Sequence, residues 1–578
     1  MGMDRRKNAR DGFAVLILLW AMAAAMCAGP MWQAFKFGGR YFSTARLEVV
    51  PLPMGSLCPP MDQSPRLSAS TPVEETTGAV ALEFDASGEL MGRENGMPTL
   101  HPRVAIAKLH VGRDIEEVNR AICSVTPWKG SGSSWIFNPS GNYDFVEVDL
   151  VSLLYLFRDR PDRLHPETAR YIVDVLLIEN GVVPRPSPPR TRGLVTETEN
   201  HILMTEGARY LKNQWYFERG TDEQRGRPEF DNDRNGLGEW LLDYLRDIQN
   251  AGFYEFNSIP YMSFTLRALL NLEAFPRNAE LAATARHILD IANWQYALGS
   301  LDIRRCAPFR RQPRRAGLTD LQADEHTPFM CVWTGYNTDP AKLYASVREA
   351  TMAAVMPYRL PKAVREWTLA KSSPYFVRFG HGPQASPEIY SGGPDYLISA
   401  GGVARGWRSQ IVARPTSLML RDGAGDLRGC FQLTGRGPYT EWNNTGVCDR
   451  FACTNGTAIA PEGREAAFIS GPWSIHAIPE APHFLVAMAN GPSFALLALF
   501  PEWSSTPEEL AKALSAANPN ETDLAHAFRW PDGNTVEFDV DAPKGTWVIS
   551  AIAGKPVDRD YDRWPQMDGE GPQILFER

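Results

Sequence analysis

Apolar residues recur at helical spacing through roughly the first two-thirds of the chain. Leu150, Leu153, Leu154 and Phe157 fall on one helical face, the repeat that lets a helix bury a stripe against a neighbour. Comparable runs cover Ala169 to Ile178 with Pro166 just ahead, Thr198 to Trp215, Gly238 to Ile248, Met262 to Leu272, Ala279 to Tyr296 and Leu343 to Ala353. Near residue 365 the period shortens. Tyr375-Phe-Val-Arg-Phe, Tyr396-Leu-Ile-Ser, Ser409-Gln-Ile-Val-Ala and Ser417-Leu-Met-Leu read as strands, as do segments at Ala467, Phe484, Phe494, Ala527, Thr535 and Trp547. Pro531-Asp-Gly-Asn between two alternating runs is a hairpin turn signal. One helical insert is predicted at Glu508 to Ala517. The expected class is multidomain α and β, a helical part followed by an antiparallel β-sandwich.

The N-terminus carries Arg5, Arg6, Lys7 and Arg10 ahead of an apolar run from Phe13 to Ala28. This is the pattern of an export signal, with a retained membrane anchor as the alternative; the run is slightly short for a span of about 20 residues. The predicted destination is periplasmic or secreted. Residues 1–28 are therefore set apart from a helical domain over 29–365 and a sandwich over 366–578. Length alone, 578 residues, gives a prior of about three or four domains, and two large ones fit equally well.

A net charge of -9 argues against nucleic acid as a partner. Arg304, Arg305, Arg310, Arg311, Arg314 and Arg315 are read either as a solvated loop or as a basic lip for an anionic substrate. Eight cysteines are too few for a disulfide scaffold, although Cys448 and Cys453 stand close enough to close a small loop. There is no HExxH, paired CxxC, GxGxxG, P-loop or GxSxG, so no metal or cofactor is expected and dehydrogenase, nucleotide hydrolase and esterase readings lose ground.

Two segments concentrate polar chemistry. In Glu197-Thr-Glu-Asn-His-Ile-Leu-Met, the residues Glu197, Asn200, His201 and Met204 share one face if the helix has already begun; Glu199 lies elsewhere on the turn. Carboxylate, amide and imidazole together are rarely buried without partners. The competing reading is a helix capped by Thr196 or Thr198 with a structural His201. In Phe253-Tyr-Glu-Phe-Asn-Ser-Ile-Pro-Tyr261, Pro260 suits the first turn of the next helix, Asn257 or Ser258 suits its cap, and Tyr261 its entrance. Glu255 and Asn257 precede it, and Arg267 is a candidate neighbour of the phenol. Weaker candidates are Trp240, Asp324-Glu-His326 and His381.

This order of domains, with Asn200-His201 and the segment carrying Glu255, Ser258, Pro260 and Tyr261, resembles the heparinase- and alginate-lyase-like exported enzymes, whose fold is an (α/α) toroid followed by a β-sandwich. The resemblance implies a polysaccharide lyase that cleaves a uronic-acid-containing glycan by β-elimination. Asn200 would meet the uronate carboxylate, His201 would assist there or serve as the base, Tyr261 would donate a proton to the leaving oxygen or also take the first one, and His326 or His381 would supply a further histidine. The alternative is a glycoside hydrolase using paired carboxylates, Glu197 or Glu199 with Glu255, set about 5 to 9.5 Å apart according to mechanism. A non-catalytic glycan-binding protein is the third reading. The stretch from His381 to Tyr396 is predicted to wall the cleft near Tyr261, with His381 touching substrate.

Overall fold

The computed structural model describes residues 72–94, 96–134, 136–193, 197–253, 255–259, 261–310, 320–336, 350–381, 387–401, 411–412, 414–421, 423–436, 446–479, 481–543, 546–564 and 566–570. Thirteen α-helices lie among them. Twelve come first: α1 (Pro72–Ala86), α2 (Pro102–Val111), α3 (Ile115–Ser124), α4 (Asp144–Leu156), α5 (Pro166–Tyr171), α6 (Glu199–Arg219), α7 (Leu237–Ala251), α8 (Met262–Ala274), α9 (Ala279–Leu298), α10 (Thr327–Thr334), α11 (Ala350–Val355) and α12 (Lys362–Leu369). The last, α13 (Pro507–Ala517), closes a capping box between Thr506 and Glu509. A π-helical turn, Ile172–Leu176, continues α5. The export segment Phe13–Ala28 lies outside the described residues. Among those described, no helix is long and apolar enough to cross a membrane.

The central helices pack mostly against elements that are not their neighbours in sequence. α4 lies against α6 and α8, α6 against α8, α8 against α9, and α9 against α7 and α12. α4 and α6 are buried almost all round, so their polar residues must find partners inside. Charged groups therefore gather on these two helices, and that position sets up the site.

From Tyr375 onward the described residues are mainly antiparallel sheet, with α13 inserted. A seven-stranded sheet contains Tyr375–Phe379, Glu388–Gly392, Tyr396–Gly401, Thr416–Leu420 and Phe431–Thr434. A six-stranded sheet contains Phe451–Thr454, Trp473–Ala477, Leu485–Asn490 and Ala495–Phe500. Alternate residues of the first sheet go to different cores. Tyr375, Val377, Tyr390 and Leu397 join the helical core, whereas Ile389, Ile398 and Leu418 join Phe451, Ile475 and Leu497 of the second sheet. The seven-stranded sheet is thus covered on both faces, and Glu388–Gly392 and Tyr396–Gly401 are buried throughout.

The carboxyl end of α9 is fastened to the sheet. Lys371 Nζ donates to Ala297 O at 3.0 Å and Tyr375 OH to Leu298 O at 2.6 Å, satisfying carbonyls that a helix end leaves open. Gly299 follows; a Cβ there would stand 2.8 Å from Cζ of Tyr390.

Two sequence expectations are corrected. Cys448 and Cys453 are both free. They occupy the two strands of a tight hairpin whose register sets Cys448 opposite Phe451, and the Cys453 thiol meets Gly446 O. Arg304 and Arg305 form neither a solvated loop nor a basic lip, being buried. Arg304 donates to Leu420 O and Ala424 O, and Arg305 pairs with Asp324. Arg311, Arg314 and Arg315 lie outside the described residues, as does the side chain of Arg310.

Candidate functional site

α6 begins at Glu199, with Thr198 at its N-cap position. Glu197 therefore precedes the helix and does not share its face with Asn200, His201 and Met204. Its carboxylate is held instead by loop donors: Ser133 N at 2.9 Å, Ser133 Oγ at 3.1 Å and Thr198 N at 3.1 Å. Gly132, at φ +90, lets that loop approach, for a Cβ there would stand 3.0 Å from Glu197 Oε2.

His201 is 5% exposed. Its Nδ1 meets Asp144 Oδ2 of α4 at 2.5 Å. Burial works against a charged imidazole, but Asp144, then Glu197 and Glu255, outweigh it and raise the pKa to about 9. His201 is therefore an imidazolium at neutral pH. Asn200, 1% exposed, accepts from Thr198 Oγ1 at 2.6 Å through Oδ1, while its Nδ2 finds no acceptor among the described residues.

Aromatic rings connect this centre to Tyr261, the N-cap residue of α8. Phe145 stacks on His201 with centroids 5.0 Å apart, on Tyr261 at 6.2 Å and on Phe264 at 4.2 Å. Phe145, Tyr261 and Phe264 are half-buried. Arg267 covers Phe264 at 4.1 Å and is paired with Asp149 at 2.7 Å. That buried ion pair makes Arg267 the base of an aromatic column.

Glu199 Oε2 accepts from Glu255 N at 2.9 Å, tying the start of α6 to the loop before Tyr261. Both carboxylates bear on the buried phenol of Tyr244, whose pKa is raised by burial first and by Glu199 next. Trp240, one turn away on α7, stacks flat on Tyr244 at 5.6 Å.

The two further histidines gather in a second cluster. His381 lies on Phe256, centroids 3.3 Å apart, and its Nε2 meets Glu388 Oε1 at 3.2 Å. His326 Nε2 meets Asn293 Oδ1 at 2.8 Å; burial and Arg305 push its pKa well below the usual value, so it is neutral. A small cavity lined by Phe256, Asn257, Arg305, His326 and Glu388 among others has room for about one water. Asn257 belongs here and caps nothing: Nδ2 donates to Glu388 Oε1 at 2.7 Å and Oδ1 accepts from Arg305 at 2.9 Å. His381 thus abuts the segment leading to Tyr261, as expected, but it is buried under Phe256 and engaged by Glu388, which removes it as a direct substrate contact in this conformation.

Sequence reasoning missed Asp144, Phe145, Glu147 and Tyr244; Glu388 lay in the stretch predicted to wall the cleft, with no role of its own assigned. One signal was present: Asp144, Glu147 and Asp149 interrupt a helix that is otherwise apolar apart from Ser152. Glu147 is fully buried between Ser131 Oγ and Ile178 N. Burial and then Glu179 raise its pKa to about 8. Among the described residues no group of three or more His, Cys, Asp or Glu is arranged to hold a metal.

No protein-family model matches this chain, and no curated protein or solved structure is detectably similar to it.

Proposed function

We propose that this protein is a polysaccharide lyase, a toroid-like helical layer backed by a β-sandwich, that cleaves a uronic-acid-containing glycan by β-elimination. The observation that carries the reading is one juxtaposition. A histidine kept cationic by Asp144 stands next to an amide whose Nδ2 has no acceptor among the described residues, and the same Phe145 ring packs against both His201 and Tyr261.

The reaction removes the proton at C5 of the uronate, forms the C4–C5 double bond and expels the oxygen at C4, which leaves with a proton. Charge develops on the carboxylate as the C5 proton departs. His201 and Asn200 are the donors for that charge, an oxyanion-type role in which fixed donors are worth more than water. His201 already holds its proton at neutral pH and so is assigned to the carboxylate; Tyr261, reacting as the phenolate, takes the C5 proton and passes it to the leaving oxygen, ending as it began. Half-buried Tyr261 and the accessible edges of Phe145 and Phe264 offer apolar surface for a sugar ring.

Asn200→Ala tests the reading. Loss of a single oxyanion donor costs about 10²–10³ in kcat, read as slower appearance of the ultraviolet absorbance of the unsaturated uronate, with the melting curve little changed. Full activity in this variant refutes the assignment.

A hydrolase reading draws on the three buried carboxylates Glu197, Glu199 and Glu255 around the same centre. It predicts reducing ends without the unsaturated product, loss of activity in both Glu197→Gln and Glu255→Gln, and tolerance of Asn200→Ala.

A further inference from the structure

The stretch from Phe253 to Tyr261 carries Glu255 and delivers Tyr261, yet its described residues form no regular secondary structure. Its path depends on Asn257, whose φ is +50. That left-handed conformation suits asparagine better than most residues but needs tertiary contacts to persist. Those contacts come from far along the chain. Glu388 stands on a central strand of the seven-stranded sheet, on the helix-facing side with Tyr390. Its Oε1 takes Asn257 Nδ2 at 2.7 Å and His381 Nε2 at 3.2 Å, and its Oε2 takes Tyr390 OH at 2.5 Å. Arg305, itself fixed by Asp324, holds the other end of the Asn257 amide. His381 covers the neighbouring Phe256. Just beyond this grip, Ser258 O accepts from Tyr261 N and Met262 N and starts α8.

We infer that Glu388 is a positioning residue: acting through Asn257, the β-sheet part of the chain sets the place of Glu255 and Tyr261 in a site built on the helices. A carboxylate suits this post because it accepts from three donors at once. Buried and hydrogen-bonded on each side, it holds the loop more firmly than an apolar contact of the same size, which has no preferred direction. The inference about position stands on geometry; its consequence for turnover rests on the lyase reading.

The test is a polarity swap in the full-length chain. Asn257→Asp sets a second carboxylate where an amide now donates to Glu388 across 2.7 Å, and like charges so close repel. Adding Glu388→Gln restores a donor facing an acceptor, reversed. Amide hydrogen exchange of the segment from Phe253 to Met262 should quicken about tenfold in Asn257→Asp, with α9 and the sheets unchanged, and return to within about threefold of wild type in the double variant. On a uronate-glycan panel kcat should fall about tenfold or more, with KM within about twofold, and recover in the double variant. Unchanged exchange in Asn257→Asp, or a double variant no better than the single, overturns the inference. So does faster exchange with unaltered kcat. If the wild type turns over no uronate glycan, the lyase reading fails, and exchange and its rescue still decide whether Glu388 positions the loop. Glu388→Ala, followed by exchange alone, should quicken the same segment without adding a charge, and unchanged exchange there also overturns the inference.

Discussion

Replacing Asp144 with asparagine removes a charge and keeps a carbonyl acceptor for the Nδ1–H of His201, now 2.5 Å from the carboxylate. The ring then loses the strongest of the groups that hold it charged, while burial continues to favour the neutral form. The His201 pKa should fall from about 9 to near or below its ordinary 6.5. At about 1.4 kcal/mol per unit, that difference corresponds to roughly 3 kcal/mol. Because the folded pKa is raised, the folded state holds the proton more tightly than the unfolded one. The stabilisation is complete below the unfolded value of 6.5 and is lost as pH climbs through about 9. Wild type should therefore exceed Asp144→Asn by roughly 3 kcal/mol near pH 6 and by little near pH 10. Urea unfolding across that range measures the gap, and NMR of labelled imidazoles reads the ring directly. If turnover needs the imidazolium, the alkaline limb of kcat/KM moves toward neutrality in the variant. A wild-type His201 that titrates near 6.5, or a stability gap that does not change with pH, refutes the reasoning.

Glu147 gives a pH effect of its own. Burial and Glu179 raise it to about 8 from 4.5, so the folded state keeps a proton that the unfolded chain has released, and stability falls as pH rises through that window. Glu147→Gln should remove this slope and gain on wild type between those values in parallel urea titrations. Arg305→Met should lower stability by about 3–5 kcal/mol, because it strands Asp324 in the interior. That loss should persist in high salt, where a solvated arginine would have shown no effect to begin with.

The class of structure was readable along the chain because local patterning carries it. Helical spacing in Met262–Leu272 and Ala279–Tyr296 and alternation in Tyr375–Phe379 each became the element expected, within about two residues. Tyr261 sits at a helix entrance because that depends on nearby residues. Glu197 was misplaced because the start of α6 is decided by where Thr198 and Glu199 find partners. The strand Glu388–Gly392 was absent from the segments that read as strands; a glutamate in a fully buried strand makes sense only when Asn257, His381 and Tyr390 are brought to it. Arg305 looked like a surface charge for the same reason, its partner Asp324 being identifiable only in space. Sequence periodicity records which face of an element avoids water. It does not record which buried charge will meet which, because those encounters, Asp144 with His201 above all, join residues that only the folded chain makes neighbours.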